Sequence, residues 1–242
     1  MLTRTVFIRP ADSIHRSGGV IENGTFEGKW HFSFDDYHDP TFMHFGTLRV
    51  FNDDTLSPGA VWPLHPHREI EVVTYCAAGE FRHADQDGQG GVLYKGDVQH
   101  TTVGSGMWHS EINNRDDEPM RFIQLWFIPR VAGLEPAVGQ RHVDISERTN
   151  TLLPLVSDTI EGALPLESDA SVYASFLQAG RSVTLPLDDQ HGGYLYVLEG
   201  GPVMVNGEQV DTLSAAILVG TPEIRIEALN DAELLLVIAG QL

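Results

Sequence analysis

The sequence predicts an all-β protein built as two tandem antiparallel β-barrels, and three observations carry that expectation. Short runs rich in Val, Ile, Thr, Tyr and Phe are separated by clusters of Gly, Pro, Asn and Asp, the pattern of many antiparallel strands. Sustained helical periodicity is scarce. The second half of the chain repeats the first in outline, which assigns one barrel to each half.

Taken in order, "RVFNDDTLSPGAVWPLHPH" gives a strand, a polar turn and a Pro-rich approach to a second strand. "EIEVVTYCAAGEFRHAD" gives a strand that turns at Ala78-Gly79, and "DGQGGVLYKGDVQHTTVGSG" alternates two turns with two strands. "PMRFIQLWFIPR" supplies a long apolar strand. Residues 131–150 have mixed polarity and no clean period, so they read as the crossover between the two halves. In the second half, strands are separated by "EGG", "NGE" and "LND", with Asn206-Gly207 a strong hairpin signal. "TYCAAGEF" and "VLEGGPV" read as the same strand-to-turn element, one per half. The expected organisation is an N-terminal barrel over residues 1–132, a linker over 133–150 and a C-terminal barrel over 151–242.

Composition narrows the function. The chain has 242 residues, with 34 acidic against 15 basic side chains, a net charge of −19. Such a surface repels phosphate backbones and anionic headgroups, which argues against direct nucleic-acid or membrane binding. The one cysteine, Cys76, cannot form an internal disulfide and fits a reducing compartment. No run approaches the roughly 20 apolar residues of a spanning helix. A cytoplasmic monomer is the expectation.

Two pairs of side chains stand out. His65 and His67 are two residues apart in "LHPHREIEVVTY", and His109 and Glu111 repeat the spacing in "GMWHSEIN". Residues i and i+2 of a strand share a face, so neighbouring strands would converge three imidazoles and a carboxylate on one volume. That donor set suits a borderline divalent transition metal. Pro66 has no N–H for a ladder and belongs at a strand start or edge, which places its neighbours at the barrel mouth. A single H-x-H in a strand is more often a polar face. Here both pairs sit in a frame of glycines, with Gly59 and Gly79 around the first and Gly96 and Gly104 before the second.

The runs "HPHREIEVVTY" and "GDVQHTTVGSGMWHSEIN" resemble the pirin family of the cupin superfamily, in particular its bacterial quercetin 2,3-dioxygenase-like members. "HFSFDDYHDPTFMHFGTLRVFNDD" and "LWFIPRVAGLEPAVGQR" share the resemblance. It implies a bicupin of double-stranded β-helix, or jelly-roll, type with metal in the N-terminal barrel only. The implied ligands are His65, His67, His109 and Glu111. The implied ion is Fe(II), with Zn, Ni, Cu or Mn as alternatives. The implied reaction opens a flavonol with O₂ and releases CO, the substrate's 3-hydroxyl first losing its proton, with Glu111 as general base. An alternative within the same resemblance is a non-enzymatic iron-binding regulator that engages a protein partner. Glu69, beside the histidine pair, and His100 and Thr101 depart from the family pattern, and they are expected to alter charge at the mouth or shape of the pocket.

Other residues receive smaller roles. Glu71 has the parity to face inward, as an acid behind the ligands or a strand-end charge. His83, sharing a face with Asp85, is either a partner orienting a ligating imidazole or part of an exposed hairpin tip. His31, His38 and His44 lie among aromatics and read as packing residues. By parity Cys76 should point out of its barrel. The second half holds only His191 and is expected to be structural.

Overall fold

The computed structural model describes residues 5–86 and 90–240. Within them the chain is almost entirely β-sheet, with one short helix at Ile145–Arg148 and a 3-10 turn at Ala11–Ser13. The first three residues of the expected turn at 87–91 lie outside the described residues. Four sheets form two pairs, a seven-stranded and a four-stranded sheet in each half, and the arrangement is a bicupin.

In the first half, the larger sheet runs Ala137–Arg141, Val98–Thr102, Glu71–Ala78, Met120–Phe127, Leu48–Leu56, Gly24–Trp30 and His15–Ile21. The smaller runs Val61–His67, Met107–Asn113, Phe81–Asp85 and Val92–Leu93. Between them pack Leu56, Phe81, Leu93, Met120 and Phe122. In the second half, the larger sheet is centred on His191–Gly200 and Ala232–Gly240, and Val203–Val205 and Glu208–Val210 lie in the smaller. Asn206 and Gly207 join that last pair with φ of 48° and 94°, the positive angles a two-residue hairpin turn requires. The two strand-to-turn elements read as equivalent both lead from a larger sheet into a smaller one, Glu71–Ala78 into Phe81–Asp85 and His191–Gly200 into Val203–Val205.

The two larger sheets face each other across the main core. Val73, Tyr75, Leu125 and Phe127 of the first half pack there with Val156, Tyr194, Tyr196 and Leu235 of the second. Each such side chain contributes about 1.5–3 kcal/mol by burial, so the halves are held as one body. Alternation along Met120–Phe127 then decides which residues see the site. Ile123, Leu125 and Phe127 enter the core between halves, while Phe122 packs inside the first half. Gln124 and Trp126 share the inward face with Phe122.

Three features differ from the sequence expectation. Strand Thr5–Arg9 pairs with Ala215–Val219, so the start of the chain belongs to the second half's sheet. The segment read as linker contains strand Ala137–Arg141, paired with Val98–Thr102 at the sheet edge. Its side chains are largely exposed, so it carries no apolar alternation to read. Cys76 packs inside the first half with Phe81 and Phe122 and does not point out of it. Parity carried from His65 and His67 fails because the chain turns a corner between strands of different sheets, with Glu69 at φ 52°.

Candidate metal centre

Three of the four expected ligands meet: His65, His67 and His109 come together, and Glu111 lies outside that group. Val61–His67 and Met107–Asn113 are antiparallel neighbours, with His65 directly opposite His109 and Pro66 opposite Trp108. Val61–His67 is the edge strand of its sheet, which accommodates prolines that cannot donate to a ladder. A register shift between His109 and Glu111 marks an irregularity at the site, a common place for bulges. The ligand atoms of His65, His67 and His109 all lie within 4.8 Å of one another. His109 is buried and the other two are half-buried, so the cluster opens to the outside.

Each imidazole is aimed by a neighbour. His65 Nδ1 lies 2.8 Å from the Pro63 carbonyl, which can only accept, so Nδ1 carries the proton and Nε2 keeps its lone pair. His109 Nδ1 lies 3.1 Å from His83 Nε2. With the proton on His109 Nδ1 donated to His83 Nε2, Nε2 of His109 keeps the lone pair that could bind a metal. The ring of Trp126 stands edge-to-face against His67 at 4.8 Å. Nε2 of His67 and of His109 are buried with no hydrogen-bond partner among the described residues. Unpaired buried nitrogens are costly, and a cation shared among three imidazoles would satisfy them, so this site fits a transition metal.

Burial favours the neutral form of His67 and His109. It lowers His67 to about 4, helped by nearby His65, and lowers His109 to about 2, helped by His65, His67 and His83. Burial also lowers His83. Neutral imidazole is the metal-binding form. Glu111 is buried, and burial raises its pKa, against the opposing pull of His65 and of the bond from Gln124. Its Oε1 accepts from Gln124 Nε2, and Gln124 Oε1 in turn accepts from Trp126 Nε1 at 2.8 Å. A chain of contacts therefore runs from Glu111 through Gln124 and Trp126 to the His67 ring. Phe34 packs edge-on against Trp126 at 5.2 Å and extends the aromatic wall.

Other expected residues fall elsewhere. Glu71 faces away from the cluster. It is fully buried and its Oε2 accepts from His100 at 2.7 Å and Thr102 at 3.0 Å. The corner at Glu69 again defeats parity. Glu69 accepts from the Gly133 amide at 3.0 Å and ties down that loop, while Thr101 and His100 lie opposite Val72 and Val73 within the larger sheet. His31 is fully buried between halves, with Nδ1 2.7 Å from the Tyr194 hydroxyl. His191 lies between Asp188 and Asp169 at 2.7 Å and 3.1 Å. Gln124 and Trp126 were missed by the sequence reading, although a glutamine inside an apolar strand is itself a signal.

Residues 14–127 match the Pirin family and residues 155–237 match the quercetinase C-terminal cupin domain. A pirin-like protein of Caulobacter vibrioides is 38% identical over 221 residues, 90% of this chain and 94% of the relative. Quercetin 2,3-dioxygenase of Escherichia coli K12 is 32% identical over 233 residues, 96% of this chain and 97% of the relative. The crystal structure of the Escherichia coli bacterial pirin YhhW in complex with nickel(II) superposes with a TM-score of 0.89 at 27% identity, covering 98% of this chain and all of the other, 100%. With that identity over nearly its whole length and that fold, the chain belongs to the pirin family.

Proposed function

We propose that the protein is a metal-dependent dioxygenase of the quercetin 2,3-dioxygenase type, opening a flavonol with O₂ and releasing CO. The observation that carries this reading is the cluster of three imidazoles, two with buried Nε2 atoms unpartnered among the described residues, near a buried carboxylate. His65, His67 and His109 would hold the ion, with Glu111 as fourth ligand. When bound, a divalent transition metal such as Fe(II) supplies Lewis acidity toward a substrate hydroxyl and the electronic flexibility that chemistry with O₂ needs. The relatives' names supply the substrate class, a flavonol.

The chain's own residues do the rest. Glu111 accepts the proton of the flavonol 3-hydroxyl, and its raised pKa moves it toward the operating pH, where a general base works best. Gln124 holds one carboxylate oxygen and leaves Oε2 to take that proton. Trp126 and Phe34 offer aromatic surface beside His67, suited to a flat aromatic substrate.

The test combines Fe(II)-loaded protein with quercetin and measures O₂ uptake and CO. Glu111→Gln is expected to retain most of the metal and lose about 10²-fold or more in turnover. Metal and turnover falling together would make Glu111 chiefly a ligand. No turnover by the fully loaded native chain would overturn the enzymatic reading.

A further inference from the structure

A second recess opens where the edge strand Ala137–Arg141 meets the second half of the chain, and it shares no lining residue with the histidine cluster. Its volume is about 400 Å³, within the range of small-ligand sites. Leu134, Val138 and Pro165 form apolar walls, and His100, Glu135 and Glu167 bring polar groups to it.

His100 is the organised feature of this recess. It is only 5% exposed, and its Nε2 lies 2.7 Å from Oε2 of the fully buried Glu71. The Thr102 hydroxyl, at 3.0 Å, and the Glu167 amide, at 3.3 Å, donate to the same oxygen. Among the described residues Oε1 of Glu71 has no partner, so three donors converge on one oxygen of its carboxyl group while the other is left unpaired. The Glu71 carboxyl group engages Nε2 of His100, and Nδ1 of His100 makes no hydrogen bond within the described residues. Thr102 has already spent its hydrogen on Glu71. Glu135 and Glu167 bring two carboxylates to the recess, and behind them lies the Glu71 carboxyl group with Oε1 unpaired among the described residues. A ligand that fits must donate hydrogen bonds and carry positive charge. The walls ask that it also carry apolar surface.

We propose that this recess is a second binding site, for a small organic cation: a protonated amine on a compact apolar body. It joins the two halves, because His100, Leu134 and Val138 come from the first and Pro165 and Glu167 from the second. The chain's net charge of −19 favours arrival of a cation and disfavours an anion of the same shape.

The probe is 2-phenylethylamine, with 3-phenylpropanoate as the anionic counterpart, titrated calorimetrically into the full chain. Saturable binding of the amine alone is expected. Val138→Trp, which fills the recess from an exposed position, and Glu167→Gln, which removes charge and keeps the amide bond to Glu71, should each weaken it about tenfold or more. His65→Ala should bind as the native chain does. The proposal is overturned by absence of saturable heat, by equal binding of the propanoate, by unchanged affinity in both recess variants, or by loss of binding in His65→Ala, which would move the ligand to the histidine cluster.

Discussion

Glu111 is fixed by one amide. Gln124 donates to its Oε1 and is itself held by Trp126, so replacing Gln124 strands a buried carboxylate oxygen and an indole N–H together. Gln124→Leu is expected to cost about 1–3 kcal/mol in urea unfolding. Turnover should fall with KM for the flavonol little changed, because the variant loses the carboxylate's aim and keeps the aromatic wall. Unchanged stability would show that Glu111 finds another donor. The histidines set the acid side of the pH profile. Burial holds His67 at about 4 and His109 at about 2, below the value near 6.5 of a free imidazole. Below roughly pH 6.5 the unfolded chain therefore binds more protons than the folded one, and folding stability falls with pH. The loss continues through about 4 for His67 and on toward 2 for His109. Metal-free protein should show a melting temperature that drops between about pH 7 and 5, with a shallower slope in His109→Phe. A flat profile in the native chain would contradict neutral, buried ligands. At this scale the three-histidine cluster was legible because i, i+2 spacing on a strand survives folding intact. Glu71 and Cys76 were misread because the same parity was carried across a corner where Glu69 reverses the chain.

Strands whose partners lie far away in sequence are the elements that pattern reading missed. Thr5–Arg9 finds its partner at Ala215–Val219, and nothing local marks that choice. Its last residue explains the attachment. Arg9 is 1% exposed, donates from Nη1 to the His31 carbonyl, and stacks 3.7 Å over the Phe42 ring. One side chain of the second half's sheet thereby pins the aromatic segment of the first half. Arg9→Ala is expected to cost about 2–3 kcal/mol, read as a lower urea midpoint with unchanged m-value. A change under about 0.5 kcal/mol would make the strand an ornament of the edge. The hairpin at Asn206-Gly207 shows the opposite case, where local turn chemistry alone determines the element.

At the scale of the whole molecule, two similar sheet pairs have divided their labour. The described residues of the second half contribute to no histidine cluster of the kind formed by His65, His67 and His109, and its larger sheet buries the back of the sheet that carries Gln124 and Trp126. Polar contacts cross the same boundary: Tyr196 donates to Asp53, and Tyr75 donates to Glu233. Gln124 and Trp126 thus rest on a strand whose reverse face is clamped by the other half, which stiffens the support behind Glu111 and His67. The tandem plan was legible from turn residues and repeated strand patterns, whereas the face-to-face contact was not, because its residues look like any buried strand until their partners are known. The most direct test of the account is the metal content of the purified chain after Fe(II) loading and desalting, compared with that of the double variant His67→Ala/His109→Ala. One ion per chain in the native protein and close to none in the variant is the expected result; equal metal in both, or none in either, would contradict it.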